Sequence, residues 1–272
     1  MTRSVLDTPA EPAGDAAARS GPGVCTNCGG PRAGEYCAEC GQRAVRERLT
    51  VRGIARQIAH EAMNLDHGLL FTALELTRRP GAAVRDYLAG RRVPYTGPVK
   101  YFLLMVALAT FASTQLGVTD EMGRELVRPM GESAPVTAQQ VSRFIAQWMT
   151  LLMALGVPGL AAVTRLLFSR RGNTYADHLV LNLYVYAQQS LMLAVALGIA
   201  AIVRLPDSLA TTGWMVLAAA YYAWACTSFF RVRARWGVPL ALVALVVATV
   251  GYFMAVSFVV GVAVGFLSVA RG

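Results

Sequence analysis

From Pro98 onward the apolar residues gather into five long runs, at 98–117, 144–168, 179–203, 209–230 and 238–270, separated by short polar connections. Runs of about twenty residues with almost no charge predict bilayer-spanning helices rather than the core of a soluble domain. Gly156 and Pro158 fall inside the second run and predict a bend there. The fifth run, at about 1.5 Å per residue, exceeds a hydrocarbon core of about 30 Å and is too short to cross twice, so it reads as one tilted helix or a broken one. The expectation is an all-α polytopic membrane protein with about five transmembrane helices over 98–270.

Composition agrees with that pattern. Of 272 residues, 55% are hydrophobic and 15% charged, against roughly a quarter charged in ordinary globular domains. This balance argues against a soluble enzyme and a secreted disulfide scaffold. The formal charge is +9, and Lys100 is the one lysine. Arg78, Arg79, Arg85, Arg91 and Arg92 precede the first span. Arg170 and Arg171 follow the second, and Arg231, Arg233 and Arg235 follow the fourth. The intervening connections are acidic (Asp120, Glu121, Glu125, Glu132) or nearly neutral (Arg204, Asp207). Basic loops stay on the cytoplasmic side, which predicts a bacterial inner-membrane protein with its N-terminus inside and its C-terminus outside. Residues 1–23 hold no apolar stretch after Arg3 and read as a disordered tail rather than a secretory signal.

Residues 24–42 carry the strongest chemical signal. Cys25-Thr26-Asn27-Cys28 and Cys37-Ala38-Glu39-Cys40 are two C-x-x-C pairs, followed by Gly29 and Gly41. The two-residue gap lets both thiolates of a pair reach one metal. The glycine permits the left-handed turn that aims backbone amides at sulfur. Two such knuckles predict a zinc ribbon with Cys25, Cys28, Cys37 and Cys40 as ligands and zinc in a structural role, with iron as the competing occupant. In so small a unit the metal would supply most of the folding free energy. A disulfide pair is disfavoured in a reducing cytosol, and a redox motif lacks its βαβ context. Cys226 lies in the fourth apolar run and reads as packing.

Residues 43–97 read as cytosolic amphipathic or interfacial helices. Val51, Ile54, Ile58, Ala62, Leu65 and Leu69 make a helical stripe, while Arg48, Arg52 and Arg56 recur every four residues on another face. Such a helix suits an anionic membrane surface, and equally a cytosolic helix packed on the bundle. Nucleic acid is the weaker reading because no aromatic residue interleaves the arginines. His60-Glu61 does not extend to a zinc-protease motif, since Asn64 stands at the second histidine position. Pro80 opens a short helix closed by Gly90, and Arg91, Arg92 and Tyr95 then form a cuff at headgroup level.

The two C-x-x-C-G knuckles, Phe71-Thr72-Ala73-Leu74, Arg79-Pro80-Gly81, Asp86-Tyr87-Leu88-Ala89-Gly90-Arg91-Arg92-Val93 and Tyr95 resemble a bacterial family of zinc-ribbon-headed membrane proteins, domain of unknown function 3667. Asn173-Thr174-Tyr175-Ala176-Asp177-His178-Leu179 is similar to a further family stretch, with Asp177 where glutamate is expected. The resemblance implies a cytosolic ribbon on a polytopic anchor and brings no catalytic residue.

Ionisable groups deep in a bilayer mark transport or catalysis, and the five runs hold no Asp, Glu or Lys at their centres. A milder polar stripe remains: Tyr175, His178, Asn182 and Gln189 share one face of the third span, as helix-packing groups or as the lining of a small polar cavity. Ser257, Gly261 and Gly265 repeat every four residues and raise the prospect of a homodimer. No nucleophile–base pair, phosphate loop or dinucleotide fingerprint is evident, so an enzyme is not expected. The sequence therefore points to a head that docks a cytosolic or membrane protein partner or regulates the bundle. Pro31, Arg32, Glu35 and Tyr36 are its candidate contacts. The alternative is a small permease or lipid-handling protein that uses the polar stripe.

Overall fold

A computed structural model describes residues 23–32, 34–42, 68–128, 137–169, 172–204 and 206–269. The proposed tail, the stripe over 43–67 with Arg48, Arg52 and Arg56, and Arg170 and Arg171 lie outside the described residues. The described chain is helical, with no strand and a cysteine cluster at its N-terminal end.

Two short helices come first, α1 (Gly68–Arg78) and α2 (Pro80–Leu88). Pro80 separates them, since it cannot continue a helix from Arg78 but is well suited to the first position of the next. Gly90, at φ 100°, closes the turn after α2. A loop then leads to α3 (Pro98–Gln115), again opened by proline. Gly117, at φ 72°, turns the chain sharply into α4 (Val118–Val127), which meets α3 at 76°. The first acidic connection thus begins as a helix, with Asp120 and Glu121 in its first turn, where the helix dipole favours them.

Three long helices and one of intermediate length follow: α5 (Ala138–Leu167), α6 (Tyr175–Val203), α7 (Asp207–Phe230) and α8 (Ala234–Val269). The residues that open α5 and α6 explain where they begin. Thr137 with Gln140, and Thr174 with Asp177, form reciprocal capping boxes. The stretch around Asp177 is therefore a helix start. Arg204 and Arg231 end α6 and α7 in the left-handed conformation. The last apolar run is one continuous helix of 36 residues, with Pro239 near its beginning. Ser257, Gly261 and Gly265 fall where the backbone alone is described.

Burial divides the molecule into two ends. In α6 every residue from Val180 to Val185 is buried, and burial continues to Ser190 at all positions but Tyr186. Beyond that, Val195, Ile199 and Ile202 are exposed. In α7 the order reverses: Met215, Val216 and Leu217 are exposed, whereas Tyr221, Tyr222, Cys226, Phe229 and Phe230 are buried. The two helices run in opposite directions, so their buried halves lie at one end, covered by α1 and α2. At the other end bare aliphatic faces remain, continued by Leu103, Leu108 and Phe111 of α3 and by Val246 and Val247 of α8. Surfaces of that kind suit a hydrocarbon solvent. By length and composition α6 and the Ala234–Gly251 part of α8 can cross a membrane, with a third crossing if α3 and α4 count as one bent span.

Candidate metal centre and polar core

The head is built from two copies of one turn. Cys25 N donates to Gly30 O and Cys37 N to Gln42 O, both at 2.9 Å. Gly29 N donates to Cys25 O and Gly41 N to Cys37 O, also at 2.9 Å. Gly29 (φ 77°) and Gly41 (φ 69°) supply the left-handed backbone that closes each loop. The repeat brings the sulfurs face to face across the two knuckles. Cys25 Sγ lies 3.6 Å from Cys40 Sγ, and Cys28 Sγ 3.6 Å from Cys37 Sγ, with all four ligand atoms within 4.8 Å of one another. No disulfide joins them. Four thiolates at about 2.3 Å from a central ion would sit about 3.8 Å apart, close to the separations found. The quartet can therefore hold a metal ion tetrahedrally.

The electrostatics favour a cation there. The Asn27 side chain and then the Gln42 amide draw the Cys40 thiol down to about 6. Gly30 likewise gives its backbone N–H to Cys28, yet Cys28 is pushed up to about 12, because burial and the neighbouring thiols of Cys37, Cys40 and Cys25 outweigh that bond. A single negative charge among four close sulfurs resists the next one, and a divalent ion removes that conflict.

Gln42 is buried, and its side chain joins the head to the turn between α2 and α3. Nε2 donates to Gly90 O at 2.7 Å and to Thr26 Oγ1 at 2.7 Å, while Oε1 accepts from Arg92 N at 3.2 Å. Thr26 Oγ1 also donates to Gly90 O at 3.2 Å. Of the candidate contact residues, Pro31, Glu35 and Tyr36 are exposed, while Arg32 is half-buried.

Arg91 and Arg92, expected at the membrane surface, are partly engaged in the cuff. Arg91 lies 3.7 Å from Asp86, and the Arg92 guanidinium sits 5.5 Å from the centre of the Tyr87 ring. Asp86 also faces Arg79 at 3.4 Å and accepts from Tyr95 Oη at 3.4 Å. Burial first, and then the Asp86 charge, push the Tyr95 hydroxyl up to about 12.

The polar stripe of α6 is woven into its neighbours. Tyr175 Oη donates to Pro158 O at 3.0 Å, and Gln189 Nε2 to Ala218 O at 2.8 Å. Asn182 Nδ2 donates to Thr164 Oγ1 at 3.1 Å and to His178 O at 2.8 Å, while Asn182 Oδ1 accepts from Tyr222 Oη at 3.1 Å. Thr164 Oγ1 lies 3.2 Å from His178 Nδ1 and itself donates to Ala161 O at 3.0 Å. A second layer ties α1 and the loop after α2 to the same helix. Gln188 Nε2 donates to Thr77 Oγ1 at 2.8 Å and Tyr184 Oη to Thr96 O at 2.7 Å. Thr96 N donates to Thr72 Oγ1 at 2.8 Å, and Tyr221 Oη of α7 to Leu76 O at 2.9 Å.

Gln42 and Thr164 carry much of this architecture, and neither stands out in the sequence. Each acts on a group far away in the chain, and a lone glutamine or threonine has no periodicity to betray it.

Fold and cluster together describe a helical protein with two to three helices able to cross a membrane and, at its N-terminal end, four cysteines placed so that they could hold a metal ion. Residues 66–110 match the family described as Protein of unknown function (DUF3667), the family that the sequence motifs resemble. The matched stretch takes in α1, α2 and most of α3, and the cysteines precede it. No curated protein and no solved structure matches the chain.

Proposed function

We propose that this chain is a bacterial inner-membrane protein with five spans, α3, α5, α6, α7 and α8, whose zinc-ordered cytosolic head docks a protein partner or regulates the bundle. It works without catalysis. The observation that carries this reading is the convergence of Cys25, Cys28, Cys37 and Cys40 on one point, in a head fastened to the helices by Gln42. Zinc would supply a closed-shell crosslink between the two knuckles, and the four cysteines would hold it. The orientation draws support from charge. The head shares one end of the molecule with Arg85 and the α7–α8 turn, where Arg231, Arg233 and Arg235 sit.

The anchor reading is favoured over a permease because Tyr175, Asn182 and Gln189 bond to neighbouring elements of the bundle. Elemental analysis of the purified protein tests the first half of the proposal: one zinc per chain is expected, and a metal-free protein would end it. Affinity capture with and without the four cysteines tests the second half. A partner lost with the cysteines is expected, and identical captures would refute a docking head.

A further inference from the structure

Gln42 belongs to two structures at once. Its main chain is part of the second knuckle: the carbonyl accepts from Cys37 N at 2.9 Å, and the amide is directed at Cys40 sulfur. Its side chain belongs to the turn between α2 and α3. There the carboxamide reads the backbone as a second peptide group would, donating to Gly90 O at 2.7 Å and accepting from Arg92 N at 3.2 Å. A backbone donor and acceptor on adjacent sides of a turn form a socket for a primary amide, and a buried pair left unmatched there would be costly. Thr26, between the first two cysteines, lies in hydrogen-bond reach of both Gln42 Nε2 and Gly90 O, so both knuckles reach the socket.

What lies behind the socket belongs to α2 and α6. Arg92 is over the Tyr87 ring at 5.5 Å, Tyr87 meets Tyr184 of α6 edge-on at 5.5 Å, and Tyr184 bonds Thr96 O. In so short a unit the backbone of the Cys37–Gln42 turn is held by its own few hydrogen bonds and by whatever joins the sulfurs.

We infer that the Gly90–Arg92 turn is a docking socket for the Gln42 carboxamide, and that metal held by the cysteines governs whether the head is seated in it. This rests on the metal-binding reading of the quartet. With metal bound, the second knuckle presents Gln42 in register with Gly90 and Arg92. With metal removed, the turn loosens, the amide leaves the socket, and the Arg92 N–H opens to water. Metal state thereby reaches α2 and α6 through a single side chain.

Hydrogen–deuterium exchange of the full-length protein in phospholipid nanodiscs tests this, with the metal content of each sample measured in parallel. Gln42→Ala is expected to keep its metal, because the knuckle uses only the main chain of residue 42, and to exchange the Arg92 amide about tenfold faster than wild type. Gln42→Glu should also expose Arg92, since a carboxylate oxygen set against the Gly90 carbonyl oxygen is repelled and drives the side chain out of the socket. Chelation of wild type should reach the same rate and add nothing in either variant. Wild-type protection at Arg92 in metal-loaded Gln42→Ala overturns the socket. Unchanged protection after measured metal loss overturns the control by metal. A wild-type protein that never held metal overturns the underlying reading instead, and the variants still report on the socket separately.

Discussion

The guanidinium of Arg85 donates through Nη1 to the carbonyl of Ser228 and, at 3.2 Å, to that of Phe229. These are last-turn carbonyls of α7, whose own helical partners have run out. A side chain from the family-matched segment thus finishes a long helix some 140 residues further on. Burial and the nearby charge of Arg231 pull the Arg85 pKa down; a guanidinium stays protonated in proteins, so its charge complements the negative end of the helix dipole.

Arg85→Met should therefore lower stability by about 1–3 kcal/mol, the usual range for losing charge-assisted bonds at a partly buried site. Arg85→Lys should recover part of that. Chemical unfolding in detergent micelles, followed by circular dichroism, reads the difference. A methionine variant as stable as wild type would remove Arg85 as the cap of α7.

Packing of α2 on the same helix end has its own signature. A Cβ on Gly81 would lie 2.6 Å from the Ser228 carbonyl carbon and closer still to the Phe229 nitrogen, neither of which can swing aside. Gly81→Ala should force α2 and α7 apart at a cost of about 1–3 kcal/mol. Gly159→Ala, which meets nothing within 4 Å inside helix α5, should be neutral or mildly stabilising. Paired thermal unfolding of the two variants separates a contact-specific effect from a general intolerance of substitution.

In the polar core, Asn182 and Gln189 differ in what they hold. Asn182 is fully buried with bonds to Thr164, the His178 carbonyl and Tyr222, whereas Gln189 lies at the edge of the core and bonds Ala218 O. Asn182→Leu strands the Tyr222 hydroxyl and should cost about 1–3 kcal/mol, while Gln189→Leu should cost about 0.5–1. Equal effects, measured by unfolding in the same detergent, would contradict the network described.

The same network specifies a tautomer. Thr164 Oγ1 uses its proton on Ala161 O, so the contact with His178 Nδ1 requires the proton to be on the imidazole. The imidazole then carries hydrogen on Nδ1, and its Nε2 meets no hydrogen-bond partner among the described residues. Nitrogen-15 NMR of histidine-labelled protein distinguishes the two tautomers, and with three histidines in the chain the His178 signals are assignable by one substitution. The opposite tautomer would show that Thr164 is oriented differently.

Acid should release the metal. Four sulfurs must be deprotonated to bind, so each proton added as pH falls competes with the ion. Affinity should therefore rise with pH through the neutral range. Competition with a colorimetric chelator at several pH values measures it, and a flat profile would argue against thiolate ligation.

Much of this protein is legible in one dimension because its causes are local. Two C-x-x-C pairs with their glycines make two knuckles through bonds that span at most five residues, as between Cys25 and Gly30. Long uncharged runs form helices whatever surrounds them, since a backbone in hydrocarbon must satisfy its own polar groups. Pro80, Pro98 and the Thr174–Asp177 box announce helix starts by chemistry that acts within a single turn. The remainder was settled by tertiary structure. The stripe residues Asn182 and Gln189 read first as packing, with a cavity as the second reading, until Thr164, Tyr222 and Ala218 from other helices show what they bond. Arg85 reads as one more basic residue before a span until α7 ends beside it. Gln42, after the last knuckle glycine, has no visible task until Gly90 and Arg92 are folded against it. In each case the partner lies tens of residues away or on another element, and a directional bond of about 3 Å becomes visible only once packing has brought both ends together.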